Sequence, residues 1–268
     1  MENSLYKNTN FWDPLFYLKH AIPQFELAKN ALKQYPLKGN ERILDIGCGP
    51  GNISAELALQ VPKGQVIGID ISQNMIAFAQ KNHHHLKNLS FEQKDAIEFS
   101  FKQPFDVVVS FNTLQWVTKQ IAALRNIYAH LKSGGRLQVI LTRPQIKVDP
   151  INEVMIPILQ EPAWRVYFKD FVLPDYLIEI PIEQYQRALI ETGFKIDYFS
   201  EYDYVVKYSQ KEELANWFQS WMAHRLALPP EKRETFFLHV VDKYLAYMGK
   251  KEDQIEYHHY VWEYAAHK

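Results

Sequence analysis

The sequence predicts an α/β fold: a doubly wound, mostly parallel sheet of seven strands, with helical insertions. Three observations carry that expectation. Residues 43–46 form a short apolar run of the kind found in buried parallel strands, and Gly47, Gly49 and Gly51 follow at alternate positions before a helix-forming segment from Asn52. Strand and helix patterns then alternate through Leu141, four repeats in all, which is the rhythm of a parallel sheet covered on both faces. From Pro144 to Pro181 the rhythm breaks. Prolines 144, 150, 157, 162, 174 and 181 punctuate a segment too long and too apolar to be a plain connection.

Each element has its own signal. Residues 11–17 are dense in aromatics, and residues 18–32 carry apolar positions at helical spacing with a break at Pro23. Val66-Ile67-Gly68-Ile69 reads as the second strand, ending at Asp70. Ser72 suits an N-cap for a helix through Lys81. Residues 89–94 read as the third strand, closed by Asp95 and Ala96. Residues 105–110 are almost continuously apolar, which places the fourth strand at the centre of the sheet. Residues 112–116, N-T-L-Q-W, leave its carboxyl end. An amphipathic helix over 121–131 stops at Ser133-Gly134-Gly135, and the fifth strand over 137–141 ends at Thr142 and Arg143. Residues 182–192 form a helix closed by Gly193, and 194–208 a long strand or hairpin. Two more helices, 212–222 and 231–248, are separated by Pro229-Pro230. Alternating aromatics over 257–265 suit a final edge strand. The expected organisation is one domain. It has an aromatic flap (1–40), a ligand-binding core (41–143) and a lid insertion (144–181). The core is completed by 182–268, which carry a second lid segment near 211–250.

The chemistry follows from the first two strand ends. Glycines let a ligand lie against bare main chain, and a carboxylate at Asp70 can accept hydrogen bonds from both hydroxyls of a ribose. A dinucleotide loop of the form G-x-G-x-x-G would need its third glycine at Asn52. The spacing here is G-x-G-x-G, with Asp45 two residues ahead. A pyrophosphate is repelled by that carboxylate and an ammonium is attracted. S-adenosylmethionine carries an ammonium, a sulfonium and a ribose and no phosphate, so it is the expected cofactor. Ile71 and Met75 would then lie beside ribose and adenine, and Asp95 would meet the adenine amino group. Trp116 is a core anchor or a substrate wall. Arg143, at a strand end on the ligand edge, is the first candidate to hold an acidic substrate. Cys48 reads as a small filler in the turn, and no metal site is expected at His83, His84 and His85, which lack partner carboxylates at ligand spacing.

Composition narrows the class. A net charge of -1 gives no broad basic surface and argues against nucleic acid as a partner. One cysteine excludes an internal disulfide and fits a reducing compartment. The first residues lack the apolar stretch of a signal peptide, and no run of about 18 apolar residues occurs. The expectation is therefore a cytoplasmic protein without a membrane span, acting on a small molecule, with its oligomeric state open.

Asp45 to Gly51 together with Asp70 resemble the class I S-adenosylmethionine-dependent methyltransferases, over about residues 41–141. That resemblance implies a Rossmann-like fold. It also implies that Gly47, Cys48, Gly49 and Gly51 line the methionine part of the cofactor, with Asp45 on its ammonium side. Asp70 would take the ribose, Asp95 and Ala96 the adenine, and Asn112 the methionine backbone. Trp12-Asp13-Pro14 with Tyr17, and Leu114-Gln115-Trp116-Val117, resemble segments of the trans-aconitate methyltransferases; juvenile hormone acid methyltransferases are similar in the same region. The implied acceptor is a small-molecule carboxylate, with Trp12, Tyr17, Gln115 and Trp116 as implied substrate contacts. Alternatives are the malonyl group of a carrier protein, an O, N or C centre of another metabolite, and a non-catalytic cofactor-binding protein.

Overall fold

Burial decides the order of the sheet. The structure is a computed structural model that describes residues 11–34, 36–143, 150–171, 180–251 and 253–268. Its strands are β1 (Arg42–Ile46), β2 (Gln65–Asp70), β3 (Leu89–Gln93), β4 (Phe105–Phe111), β5 (Leu131–Arg143), β6 (Lys195–Lys207) and β7 (Glu256–His267), in the order β3-β2-β1-β4-β5-β7-β6. The pairings among β1 to β5 are parallel. As expected, β4 stands at the centre, with only Asp106 partly exposed.

The last strand corrects an expectation. β7 is interior, between β5 and β6, and the edges belong to β3 and β6. Consecutive residues Val261 to Ala266 are all buried, the mark of a strand covered on both faces, whereas a solvated edge alternates as β6 does. Lys268 exchanges backbone bonds with Gly134 and Gly135 (2.9 and 3.0 Å), which sets the end of β7 against the start of β5, the antiparallel sense. Ser133, Gly134 and Gly135 therefore do not stop the preceding helix. The helix ends at His130, where the Leu131 N–H caps it, and the glycines serve a register shift in β5.

The helices are α1 (Pro14–His20), α2 (Ile22–Lys33), α3 (Asn52–Gln60), α4 (Gln73–His83), α5 (Gln120–His130), α6 (Pro150–Gln160), α7 (Arg165–Phe168), α8 (Ile182–Thr192), α9 (Lys211–Trp221) and α10 (Pro230–Tyr247). The chain divides into two units. One comprises Ile22–Arg143, Asp175–Tyr202 and Val261–Lys268, and holds the parallel strands with α2 to α5 and α8. The other comprises Met1–Ala21, Pro144–Pro174 and Asp203–Tyr260, and holds α1, α6, α7, α9 and α10. Its core is aromatic: Trp164 and Phe168 pack on Phe236, and Trp217 meets Trp221 edge-on. α6 contributes Ile151, Val154, Met155 and Ile158, one apolar stripe at helical spacing. Among the described residues no helix is long and apolar enough to cross a membrane.

Candidate functional site

The strand order creates a switch point. β1 pairs with β2 on one side and β4 on the other, so the strand order reverses between β1 and β4. The ends of these three strands carry the glycine turn, Asp70 and Asn112.

The turn is stitched to β2. Gly47 and Cys48 both donate to the Ile69 carbonyl (2.7 and 3.0 Å), and Gly49 donates to Asp70 Oδ2 (2.9 Å). The three glycines are needed for different reasons. A Cβ on Gly47 would enter the Thr113 side chain, and one on Gly51 would lie 2.7 Å from Phe91 and 2.9 Å from Ala79. A Cβ on Gly49 would meet nothing within 4 Å. Gly47 and Gly51 thus serve packing, and Gly49 leaves main chain bare beside open space. Gly51→Ala should cost about 1–3 kcal/mol, because a left-handed φ and overpacking act together; thermal unfolding measures it, and an unchanged midpoint would refute the packing argument. Cys48 is the expected filler, buried with Ile76, Ala79 and Phe91. Burial and the nearby Asp70 and Asp45 push its thiol pKa up, so it is poorly suited to act as a nucleophile.

Asp45 lies within β1 and is buried, accepting from Ser54 Oγ at 2.6 Å. Burial raises its pKa to about 7; the Ser54 bond offsets part of this and the Asp70 charge adds to it. Ser54 was not among the sequence candidates. Its signal was a small hydroxyl in the first turn of α3, facing back toward β1. Asp70 is half-buried, and its Oδ1 accepts from Ser72 N (2.8 Å). Burial raises its pKa too, against the backbone N–H groups that stabilise the anion. The Ser72, Gly49 and Ile71 N–H groups engage the carboxylate, whose two oxygens offer about four lone-pair sites in all. Ile71, next along, is 45% exposed, whereas Met75 is packed inside α4. Asp95 is half-buried and accepts from Ile97 N (2.9 Å), with Ala96 buried beside it.

The end of β4 carries the most telling residue. Asn112 has φ of 55°, the non-glycine residue recorded with positive φ among the described residues. Both polar atoms of its side-chain amide are buried without a hydrogen-bond partner. A strained backbone that aims an unsatisfied amide at a strand end is the pattern of a binding residue. Thr113 Oγ1 donates to the Gly47 carbonyl (3.3 Å), tying this segment to the glycine turn. Gln115 is buried, its Nε2 donating to Thr142 Oγ1 (3.2 Å) while Oε1 has no partner. Trp116 is half-buried and its indole N–H donates to the Asn112 carbonyl (3.2 Å), so it anchors the loop.

The remaining candidates lie elsewhere. Trp12 and Tyr17 belong to the other unit, where Trp12 stacks on Phe11 (4.7 Å) and meets Tyr17 edge-on (5.5 Å). Asp13 caps α1 by accepting from Leu15 and Phe16 N–H groups, which gives the W-D-P pattern a structural role. Arg143 closes β5, and its side chain lies outside the described residues. His84 and His85 are exposed, and His83 pairs with the Pro50 carbonyl. No cluster able to hold a metal occurs among the described residues.

The residues fit S-adenosylmethionine. Gly49 offers bare backbone, Asp70 free lone pairs, Ile71 an exposed apolar side chain and Asn112 an unpaired amide. The Methyltransferase domain family matches residues 37–158. The trans-aconitate 2-methyltransferase of Streptomyces avermitilis is 30% identical over 191 residues, covering 69% of this chain and 70% of that protein. Protein 235L of Invertebrate iridescent virus 6, named as a methyltransferase, is 28% identical over 240 residues, 89% of this chain and 87% of that one. In fold, the chain is similar to phosphoethanolamine N-methyltransferase 2 of Haemonchus contortus, solved with S-adenosylmethionine. The TM-score is 0.59 at 23% identity, over 91% of this chain and 52% of that protein. The chain belongs to the class I S-adenosylmethionine-dependent methyltransferases, in the family that includes the trans-aconitate 2-methyltransferases.

Proposed function

We propose that this methyltransferase transfers a methyl group to a carboxylate oxygen of a small organic acid. The observation that carries this reading is the likeness to the trans-aconitate 2-methyltransferase, which extends over two thirds of both chains. The W-D-P-x-x-Y and L-Q-W-V segments support it. When bound, S-adenosylmethionine supplies a methyl group activated by its sulfonium. The chain's own task is positioning, which can remove about 7–11 kcal/mol of barrier. Ionised Asp45 serves the ammonium side, Asp70 the ribose hydroxyls, Ile71 and Met75 the ribose and adenine flank, and Asp95 with Ala96 the adenine. Asn112 completes its two unpaired amide atoms on the methionine backbone. Gln115, with its free Oε1, and Trp116 serve the acceptor, as do Trp12, Tyr17 and Arg143. A carboxylate is already ionised at neutral pH and needs no general base. The single thiol supports the cytoplasm as its compartment.

The test is the product. With a panel of small carboxylic acids that includes trans-aconitate, cofactor consumption should yield a methyl ester that mild alkali cleaves to methanol. A base-stable N-methyl, ether or C-methyl product would overturn the carboxylate reading and leave the methyltransferase assignment intact. Methylation confined to a malonyl group on a carrier protein would move the acceptor from a free acid to a protein-borne one.

A further inference from the structure

Ser54 makes a bond that its place in α3 does not require. It lies in the first turn of that helix and is fully buried. A serine inside a helix commonly bonds back to its own backbone or points to solvent. This one reaches across to β1, where its Oγ donates to Asp45 Oδ2 at 2.6 Å. A hydroxyl bonded to an ionised carboxylate has a length of about 2.5–2.7 Å. Asp45 is 2% exposed. Its register partners in the sheet are Gly68 on β2 and Val109 on β4, and neither has a polar side chain. The titratable groups beside it are Asp70, whose charge opposes its ionisation, and Cys48, whose thiol burial keeps protonated. Among the described residues, Ser54 is the neighbour that favours the charge on Asp45.

The chemistry of a hydroxyl explains why serine suits this place. It has one proton and two lone pairs, so Ser54 serves either form of Asp45. It accepts from the neutral acid and donates to the anion, and the bond to the anion is the stronger. The net effect favours the ionised form against burial. An ammonium needs that form. We propose that Ser54 is a positioning residue for the cofactor, holding the Asp45 carboxylate charged and oriented for the ammonium. This rests on the reading of Asp45 as the ammonium's partner and deepens it. Asp45 meets the cofactor and Ser54 acts through Asp45. Loss of the hydroxyl should therefore change the pH dependence of binding, which a merely structural role would leave in place.

The experiment titrates the whole protein with S-adenosylhomocysteine by calorimetry across the range from about pH 5.5 to about pH 8.5. In wild-type protein the affinity should rise to about pH 7, where Asp45 ionises, and then level. In Ser54→Ala the rise should continue for about one pH unit or more beyond that, because a charge-assisted bond is gone. The variant should bind about fivefold or more weakly at pH 7, and the gap should narrow as pH rises. Binding at pH 7 should release about half a proton in wild-type protein and close to one in the variant, counted in buffers of different ionisation enthalpy. Ser54→Cys fills the same space with a weak donor and should move the midpoint in the same direction. Ser54→Thr keeps the hydroxyl and should keep the wild-type midpoint. Either Ser54→Ala or Ser54→Cys, folded and with the wild-type midpoint, overturns this proposal alone, even if it binds more weakly at every pH. A wild-type affinity that is flat across the range overturns it together with the reading of Asp45.

Discussion

Asp70→Ala should weaken binding of S-adenosylmethionine and S-adenosylhomocysteine about 100-fold or more. The side chain has two tasks. It receives the Gly49 and Ser72 N–H groups, one on each oxygen, and so holds the glycine turn against the end of β2. On the proposed reading the same carboxylate accepts from the two ribose hydroxyls. Each charge-assisted bond contributes about 1.5–3 kcal/mol, and removal also leaves two backbone donors without their partner. The Asn variant separates the tasks. One amide oxygen can still accept, while the nitrogen cannot, so Asp70→Asn should lose an intermediate amount. Calorimetry with S-adenosylhomocysteine measures both. A folded Asp70→Ala protein with unchanged affinity would reduce Asp70 to a strand-end residue.

Cofactor affinity should also rise with pH up to about 7 and then level, and Asp45 is the reason. Its pKa in the free protein is raised from 3.8 to about 7, chiefly by burial. An acid whose folded value lies above its unfolded value contributes stability in full below the unfolded value. That stability is lost as pH rises through the folded one. Here the window runs from about pH 4 to about pH 7, and the span corresponds to roughly 4 kcal/mol. An ammonium placed beside Asp45 favours the ionised form, so binding below pH 7 must release a proton. The slope should approach one tenfold gain per pH unit. Calorimetry in buffers of different ionisation enthalpy counts that proton directly. Asp45→Asn should raise the unfolding temperature at pH 8 by several degrees, because a buried charge is gone and Ser54 keeps an acceptor. The same variant should bind the cofactor more weakly and without the pH slope. An affinity that is flat between pH 5 and 7 in wild-type protein would sink the argument.

The frame of the parallel sheet was legible because each of its signals is local. A buried strand is a short apolar run, a helix start is a capping residue, and a turn that meets bare ligand is glycine-rich. The switch-point residues are local in the same sense. Asp45, the glycines, Asp70 and Asn112 sit at or near strand ends, so identifying the strands identified them.

What escaped the sequence depends on neighbours distant along the chain. The alternating aromatics of β7 looked like an edge strand, but β7 lies between β5 and β6 and is buried on both faces over residues 261–266, and pairing is non-local. The glycines at 134 and 135 looked like a helix stop, but they answer to Lys268. Ser54 gives Asp45 its hydrogen bond from nine residues away, and its one signal is a hydroxyl in the first turn of α3. The sequence by itself determined the cofactor class, since periodicity and residue type are written within a few residues of one another. Only the tertiary structure decided which polar atoms are left without partners, because desolvation is a property of everything that surrounds a group and not of the group.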